Sequence, residues 1–187
     1  MNVREAIFSR RSVRAYTAQP VERAVLEGLL AAAVRAPSAM NAQPWAFGVI
    51  EGAERLKACS DLAKTMMLET LDAHASERYR QMLSDPDFNM FYDAPALVVI
   101  YAVEAVPDAA SDCAMAALAL MYAAWEQGLG TCWIGFSHPF FDSPAVKEKM
   151  GVPASARAMA QVVVGHPAAE MPVPERKAPP VLFWLDR

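Results

Sequence analysis

From Ala109 to Gln127 the chain reads as one alanine-rich helix, apolar almost all round, and between Cys113 and Trp125 it carries no charge. A helix without a polar face has to be covered on most of its sides. The uncharged stretch is too short for a bilayer, which needs about 20 residues. It is therefore predicted to lie inside a protein core. A chain of 187 residues has limited means of surrounding such a helix alone, so packing against a partner subunit is expected. Just upstream, Ala96 to Val103 (ALVVIYAV) is the clearest strand. Its continuous apolar run belongs at the centre of a sheet covered on both faces. Apolar residues make up 55% of the sequence, above the about 45–50% usual for globular domains. The surplus fits apolar surface buried between subunits or around a cofactor.

The remaining elements alternate loosely around this pair. Asn2 can cap a short helix through Ser9, and Pro20 opens a second helix, Val21 to Arg35, with Val25, Leu26, Leu29, Leu30 and Val34 on its apolar face. Trp45 to Ile50 reads as a strand ended by Gly52. A helical region from Ala53 to Leu83, interrupted near Thr65, has the charged and Met-rich mixture of a partly exposed lid, in which Met66, Met67 and Leu68 are core or pocket residues. A turn at Ser84–Asp87 precedes the central strand. Thr131 to Phe136 and Arg157 to Gly165 are further strands, separated by a short helix that Asp142 or Ser143 caps. The tail from Ala168 carries Pro172, Pro174, Pro179 and Pro180 and is expected to be extended. It ends in the apolar run Val181–Leu185, which suits docking on another subunit. No linker or repeat divides the chain, so residues 1–187 are read as a single α+β domain with an extended tail.

Several chemistries find no support. The net charge of −4 is mild and mixed along the chain, so neither nucleic acid nor a membrane is expected as a partner. Cys59, Cys113 and Cys132 are odd in number, which fits reduced thiols in a cytoplasm. The N-terminus lacks the apolar core of a signal peptide. His74, His138 and His166 are scattered and suggest no metal site. There is no Gly-x-Ser-x-Gly elbow, no Gly-x-Gly-x-x-Gly and no Walker sequence. Cys113 and Cys132 sit in apolar elements, where thiols are usually inert.

Three segments do carry chemistry. Arg10-Arg11-Ser12-Val13-Arg14 gathers guanidiniums that repel one another unless an anion sits among them, and arginine's planar fork suits phosphate. Alternation about Val13 points Ser12 and Arg14 the same way if the segment is extended. Ala36 to Trp45 holds two prolines, two amides, a hydroxyl and an indole, a stiff loop suited to a planar polar ligand. Gly130-Thr131-Cys132-Trp133-Ile134-Gly135 follows the apolar helix. Taken singly, the first reads as a solvated basic turn and the second as an ordinary connection. Together they describe a polar, aromatic-lined site with arginines at one end, which matches flavin mononucleotide (FMN). Its phosphate wants the arginines, its pyrimidine edge wants amides and hydroxyls, and its ring wants flat apolar walls.

In this order and spacing, Arg-Arg-Ser-x-Arg, Ala-Pro-Ser-x-x-Asn-x-Gln-Pro-Trp, the apolar helix with Gly-Leu-Gly-Thr-Cys-Trp-Ile-Gly, and the late Gly-His-Pro before Arg-Lys, the chain resembles the nitroreductase family of FMN-dependent oxidoreductases. The resemblance implies a mostly antiparallel sheet flanked by helices, in an intertwined homodimer with FMN at the subunit interface. By motif, Arg10, Arg11 and Ser12 would hold the phosphate side, and Arg14 would sit toward the pyrimidine. Pro37, Ser38, Ala39 and Asn41 would come from the other subunit. Trp133, Ile134 and Gly135 would face the ring, and Arg176 and Lys177 would close on the phosphate. Ala39 stands where many members have a second serine, and Lys64 is a candidate to replace an asparagine that some members turn to the flavin.

The implied reaction is ping-pong. NAD(P)H passes a hydride to flavin N5, and an electron-poor acceptor such as a nitroaromatic or quinone then takes it, with no catalytic side chain required. Alternatives are a specialised relative (enone reductase, dehalogenase or heterocycle oxidase), a flavin-binding protein without turnover, and a structural dimer without cofactor. Phe136 and His138, just past the ring-facing strand, are expected at a surface loop or at the rim of the substrate pocket.

Overall fold

All seven residues of the strand Ala96–Ala102 (β2) are buried, because helices cover both faces of the sheet it centres. In the computed structural model, which describes residues 2–72 and 76–185, the strands Trp45–Glu51 (β1), β2, Gly130–Trp133 (β3) and Arg157–Gly165 (β4) form one sheet in the order β1-β2-β4-β3. Every neighbouring pair is antiparallel. An antiparallel sheet often keeps one wet face and an alternating sequence. Here neither face is wet, so β2 is apolar throughout.

Ala96, Val98, Ile100 and Ala102 of β2 join one core. The helices Arg23–Ala33 (α2) and Ala109–Glu126 (α5) bring Leu26, Leu29, Cys113, Ala117 and Leu120 to it. Leu97, Val99 and Tyr101 join a second core with Leu56 and Ala63 of Ala53–Thr70 (α3). The helix His138–Asp142 (α6) adds Phe140 and Phe141 to that side. Val3–Ser9 (α1), Glu77–Ser84 (α4) and Pro144–Lys149 (α7) complete the helices. The arrangement is the expected α+β sheet between helical layers. α1 carries the predicted cap as a full capping box, with Asn2 accepting from Glu5 N and Glu5 accepting from Asn2 N.

Four boundaries differ from the sequence reading. α2 begins at Arg23, and Pro20 lies outside it in the extended approach. The helical region does not break near Thr65. Its hydroxyl donates to Asp61 C=O at 3.0 Å and α3 runs on to Thr70; α4 then starts after a Ser76 cap. The third strand stops at Trp133, and Gly135–Ser137 turns as 3-10 helix, with Ser137 Oγ donating to Ile134 C=O at 3.2 Å. Asp142 does not cap α7. Its carboxylate instead accepts from Ala158 N–H and Arg157 Nε. His74 lies outside the described residues.

Candidate functional site

The arginine segment is laid across the end of the sheet. Val13 N–H donates to Thr131 C=O at 2.9 Å, and Thr17 N–H to His166 C=O at 2.9 Å. Two glycines permit this close approach. A Cβ on Gly130 would stand 2.6 Å from Val13, and one on Gly165 would stand 2.5 Å from Pro95 and 2.7 Å from Tyr16. With Val13 buried against β3, Ser12 and Arg14 lie on the wall of a cleft of about 430 Å³ that Arg10, Arg11 and Arg176 also line. No carboxylate lines it. Arg10 Nη1 is buried there without a hydrogen-bond partner, a situation that costs about 1–3 kcal/mol or more for a charged donor. An oxyanion would relieve it and would also screen the guanidiniums from one another.

Arg11 is held differently. Its Nε donates to Ser9 C=O at 2.9 Å and its Nη1 to Met171 C=O at 2.6 Å. Its guanidinium carbon lies 5.5 Å from the centre of the Trp125 ring, whose N–H donates to Ser9 Oγ at 2.7 Å. Arg11 lines the cleft while tying the start of the tail to the body. The next tail residues to reach the cleft are Pro172, Pro174 and Arg176.

Arg14 also borders two further clefts. One, of about 260 Å³, is walled by Met82, Phe88, Trp133, Ile134, Gly135 and Phe136. The other, of about 410 Å³, has Tyr16, Asn89, Tyr92 and Asp93 on its walls. Tyr92 and Asp93 both have φ of +55°, unusual for residues with side chains. Burial pushes the Tyr16 hydroxyl far above its ordinary range, and it donates to Val13 C=O at 2.7 Å. Burial also raises the Cys132 thiol, although Arg14 and Ser12 pull it the other way. Neither group is poised as a nucleophile or base at neutral pH.

The structure thus brings Arg10, Arg11, Ser12, Arg14 and Arg176 together at one cleft and joins it through Arg14 to Trp133, Ile134 and Gly135. Pro37, Ser38, Ala39, Asn41 and Lys177 are not among the residues lining these clefts. The loop is stiff, as its composition predicts. Met40, Asn41 and Gln43 have φ of +51°, +57° and +49°, and Gln43 N–H donates to Ser38 Oγ at 3.0 Å.

Sequence reasoning missed Met82, Phe88, Asn89 and Tyr92. The aromatic run after Pro86 was the available signal. Met66 and Met67 pack against the second core instead of lining this pocket. Lys64 is used elsewhere: its Nζ donates to Asp85 C=O at 3.0 Å and Phe88 C=O at 2.8 Å. Phe136 does line the pocket and meets Tyr79 at 5.5 Å between ring centres; His138 opens α6. Among the described residues no cluster of His, Cys, Asp and Glu is placed to hold a metal, and no helix is long and apolar enough to cross a membrane.

Comparison with known proteins agrees with this geometry. A 5,6-dimethylbenzimidazole synthase of Rhodospirillum rubrum is 29% identical, over 98% of this chain and 89% of its own. An NADH dehydrogenase of Thermus thermophilus is 27% identical, over 91% of this chain and 89% of its own. The crystal structure of a nitroreductase with bound FMN from Bacteroides fragilis superposes with a TM-score of 0.84 at 25% identity, covering all of both chains. The model of the nitroreductase family matches residues 7–166, and with that span of the sequence accounted for, the chain belongs to the nitroreductase family.

Proposed function

We propose that this chain is an FMN-dependent oxidoreductase that passes a hydride from NAD(P)H to an electron-poor acceptor such as a nitroaromatic or quinone. The observation that carries the reading is Arg10 Nη1, buried without a partner in an arginine-lined cleft that meets an aromatic-walled pocket at Arg14. A phosphate at the first and a flat ring at the second is the pairing that FMN offers. When bound, FMN supplies both the hydride-accepting and the hydride-donating centre.

The chain's own residues bind and orient. Arg10, Ser12 and Arg176 would hold the phosphate end. Arg14 would keep a positive charge beside the ring, where it favours added negative charge. Trp133, Ile134 and Gly135 would form one wall of the ring site. Pro37, Ser38, Ala39, Asn41 and Lys177 stand away from these clefts in one protomer, which fits a site completed by a second copy. A homodimer is further supported by exposed apolar side chains: Ile7 and Phe8 on α1, Met115 and Leu118 on α5, and Leu182 to Leu185 in the tail. The domain would be the whole chain, working in the cytoplasm with its thiols reduced.

A second reading, a specialised reductase or oxidase on the same flavin site, draws support from the likeness to the dimethylbenzimidazole synthase. The deciding experiment is an absorbance spectrum of the purified protein, repeated after anaerobic addition of NADPH and then NADH. Flavin bands that bleach support the main reading and identify the better donor. Bands that persist favour the specialised reading or a non-catalytic flavoprotein. A protein that is colourless and takes up no added FMN overturns both.

A further inference from the structure

Asp112 stands in the first turn of α5 and is 1% exposed. Among the described residues no lysine, arginine or histidine lies within ion-pair distance of it. Its carboxylate has one hydrogen-bond partner, the Ala39 N–H, at 3.2 Å to one oxygen and 3.3 Å to the other. A buried carboxylate without a cation is unfavourable, and the positive end of a helix offsets that only in part. A core that needed only volume at this position would be served better by an apolar side chain.

What Asp112 holds is the strained loop. The backbone conformations of Met40, Asn41 and Gln43, all with positive φ, persist only where the surroundings over-determine them. Most of the loop's bonds are internal: Asn41 N–H to Ser38 C=O, Ala42 N–H to Ala39 C=O, and Gln43 N–H to Ser38 Oγ. Its exit is tied by Val103 N–H to Pro44 C=O. Between Ser38 and Gln43, the bond from Ala39 to Asp112 is the one that reaches the rest of the protein. It is a backbone bond, so the missing second serine at position 39 does not weaken it.

We infer that Asp112 is a positioning residue. It fixes the 38–43 loop so that Ser38 and Asn41 are set for the flavin before the flavin arrives. The inference rests on the FMN reading above and adds to it a residue that touches neither cofactor nor substrate. It also makes α5, whose remaining apolar face is exposed at Met115 and Leu118, a link between subunit contact and loop geometry.

The test is an FMN titration of the apoprotein, followed by flavin fluorescence, alongside hydrogen exchange of the loop amides in the same apoprotein. Asp112→Ala is expected to weaken FMN binding by about tenfold or more, the scale of a lost hydrogen bond to a charged group, and to speed exchange at Ala39 and Gln43. Asp112→Leu, of similar volume to asparagine, stands in should the alanine variant not fold. Asp112→Asn keeps an acceptor for the Ala39 N–H and should recover most of the affinity. Asp112→Ala combined with Asn41→Ala should bind little worse than Asp112→Ala alone, because both act through one loop. Leu56→Ala, a core change on the other face of the sheet, should lower thermal stability and leave FMN affinity unchanged. A folded Asp112→Ala or Asp112→Leu protein with wild-type FMN affinity overturns the inference, as does additivity with Asn41→Ala. A wild-type protein that takes up no FMN overturns the functional reading instead, and unchanged exchange at Ala39 then shows that Asp112 does not hold the loop either.

Discussion

Lys64 and Arg10 are both cations set into the body of this protein, and the fold treats them in opposite ways. Lys64 is buried to 5% exposure, and its ammonium is met by Asp85 C=O, Phe88 C=O and the Asp61 carboxylate at 3.1 Å. Lys147, equally buried, is met by Ala154 C=O and Ala156 C=O. Each lysine closes a turn whose carbonyls would otherwise be unpaired. Arg10 has a buried Nη1 with nothing to donate to. A cation that serves structure is satisfied from within the chain, while one kept for a ligand is left wanting. That contrast separates framework from site more sharply than charge or burial alone.

The largest effect expected from this comparison is on Lys64. Replacing it with methionine keeps much of the volume and leaves two buried carbonyls without a donor. Breaking a buried charged contact typically costs about 3–5 kcal/mol, and the exposed half of the Asp61 pair lowers the expectation to about 3 kcal/mol. The urea midpoint of the apoprotein measures it. A Lys64→Met protein as stable as wild type would break the contrast at its structural end.

Arg10→Ala should do the reverse. It removes a donor that the apoprotein does not use, so stability should hold or rise slightly. FMN affinity should fall by about 30-fold, or roughly 2 kcal/mol, the size of a charge-assisted hydrogen bond. Fluorescence titration against thermal unfolding of the same apoprotein separates the two quantities. Equal FMN affinity in variant and wild type would remove Arg10 from the phosphate site.

Arg11 sharpens the comparison because it belongs to both classes. It lines the same cleft as Arg10, yet its Nε and Nη1 are already engaged by Ser9 and Met171 carbonyls. Arg11→Ala should weaken FMN binding by about tenfold and should also make the tail beyond Met171 more susceptible to limited proteolysis. Arg10→Ala should leave the tail as protected as in wild type. A tail no more exposed in Arg11→Ala would return Arg11 to the same role as its neighbour.

This distinction was not legible in the sequence, where Arg10 and Arg11 are adjacent and chemically identical. What divides them is Met171, 160 residues away, and the ring of Trp125. The role of Lys64 was hidden for the same reason, since its carbonyl partners lie 21 and 24 residues on. By contrast, β2 and α5 were legible because their signal is local and repeated: an unbroken apolar run, and a helix apolar on nearly every side. The misplaced break near Thr65 shows the limit of local reading. A threonine inside a helix can satisfy its hydroxyl on the preceding turn, as Thr65 does on Asp61, and the chain continues undisturbed. The clefts around Arg14 were half legible. The motif supplied Trp133 to Gly135, while Phe88 and Tyr92 reach the walls only because the segment before β2 folds back beside the arginine segment.

The smallest effect concerns a carboxylate, and it extends the contrast to the opposite charge. Asp142 is mostly enclosed. Burial alone would raise its pKa, but Ala158 N–H, Arg157 and Lys147 outweigh that and hold the carboxyl below its ordinary value. A carboxyl whose folded pKa lies below the unfolded value of about 3.9 stabilises the fold above that pH, and the contribution fades as pH falls through the folded pKa. Asp142→Asn should therefore cost about 1 kcal/mol at pH 7 and progressively less below about pH 4, so that the two stability curves converge in acid. Arg157→Ala should change stability by less than about 0.5 kcal/mol, because that guanidinium is 63% exposed and its pairing is screened by water. Urea midpoints at pH 7 and pH 3 test both. A gap between Asp142→Asn and wild type that stays constant across this range would mean that Asp142 stabilises by shape alone. The rule drawn from the lysines, that a framework charge is one the chain itself answers, would then not extend to the carboxylates.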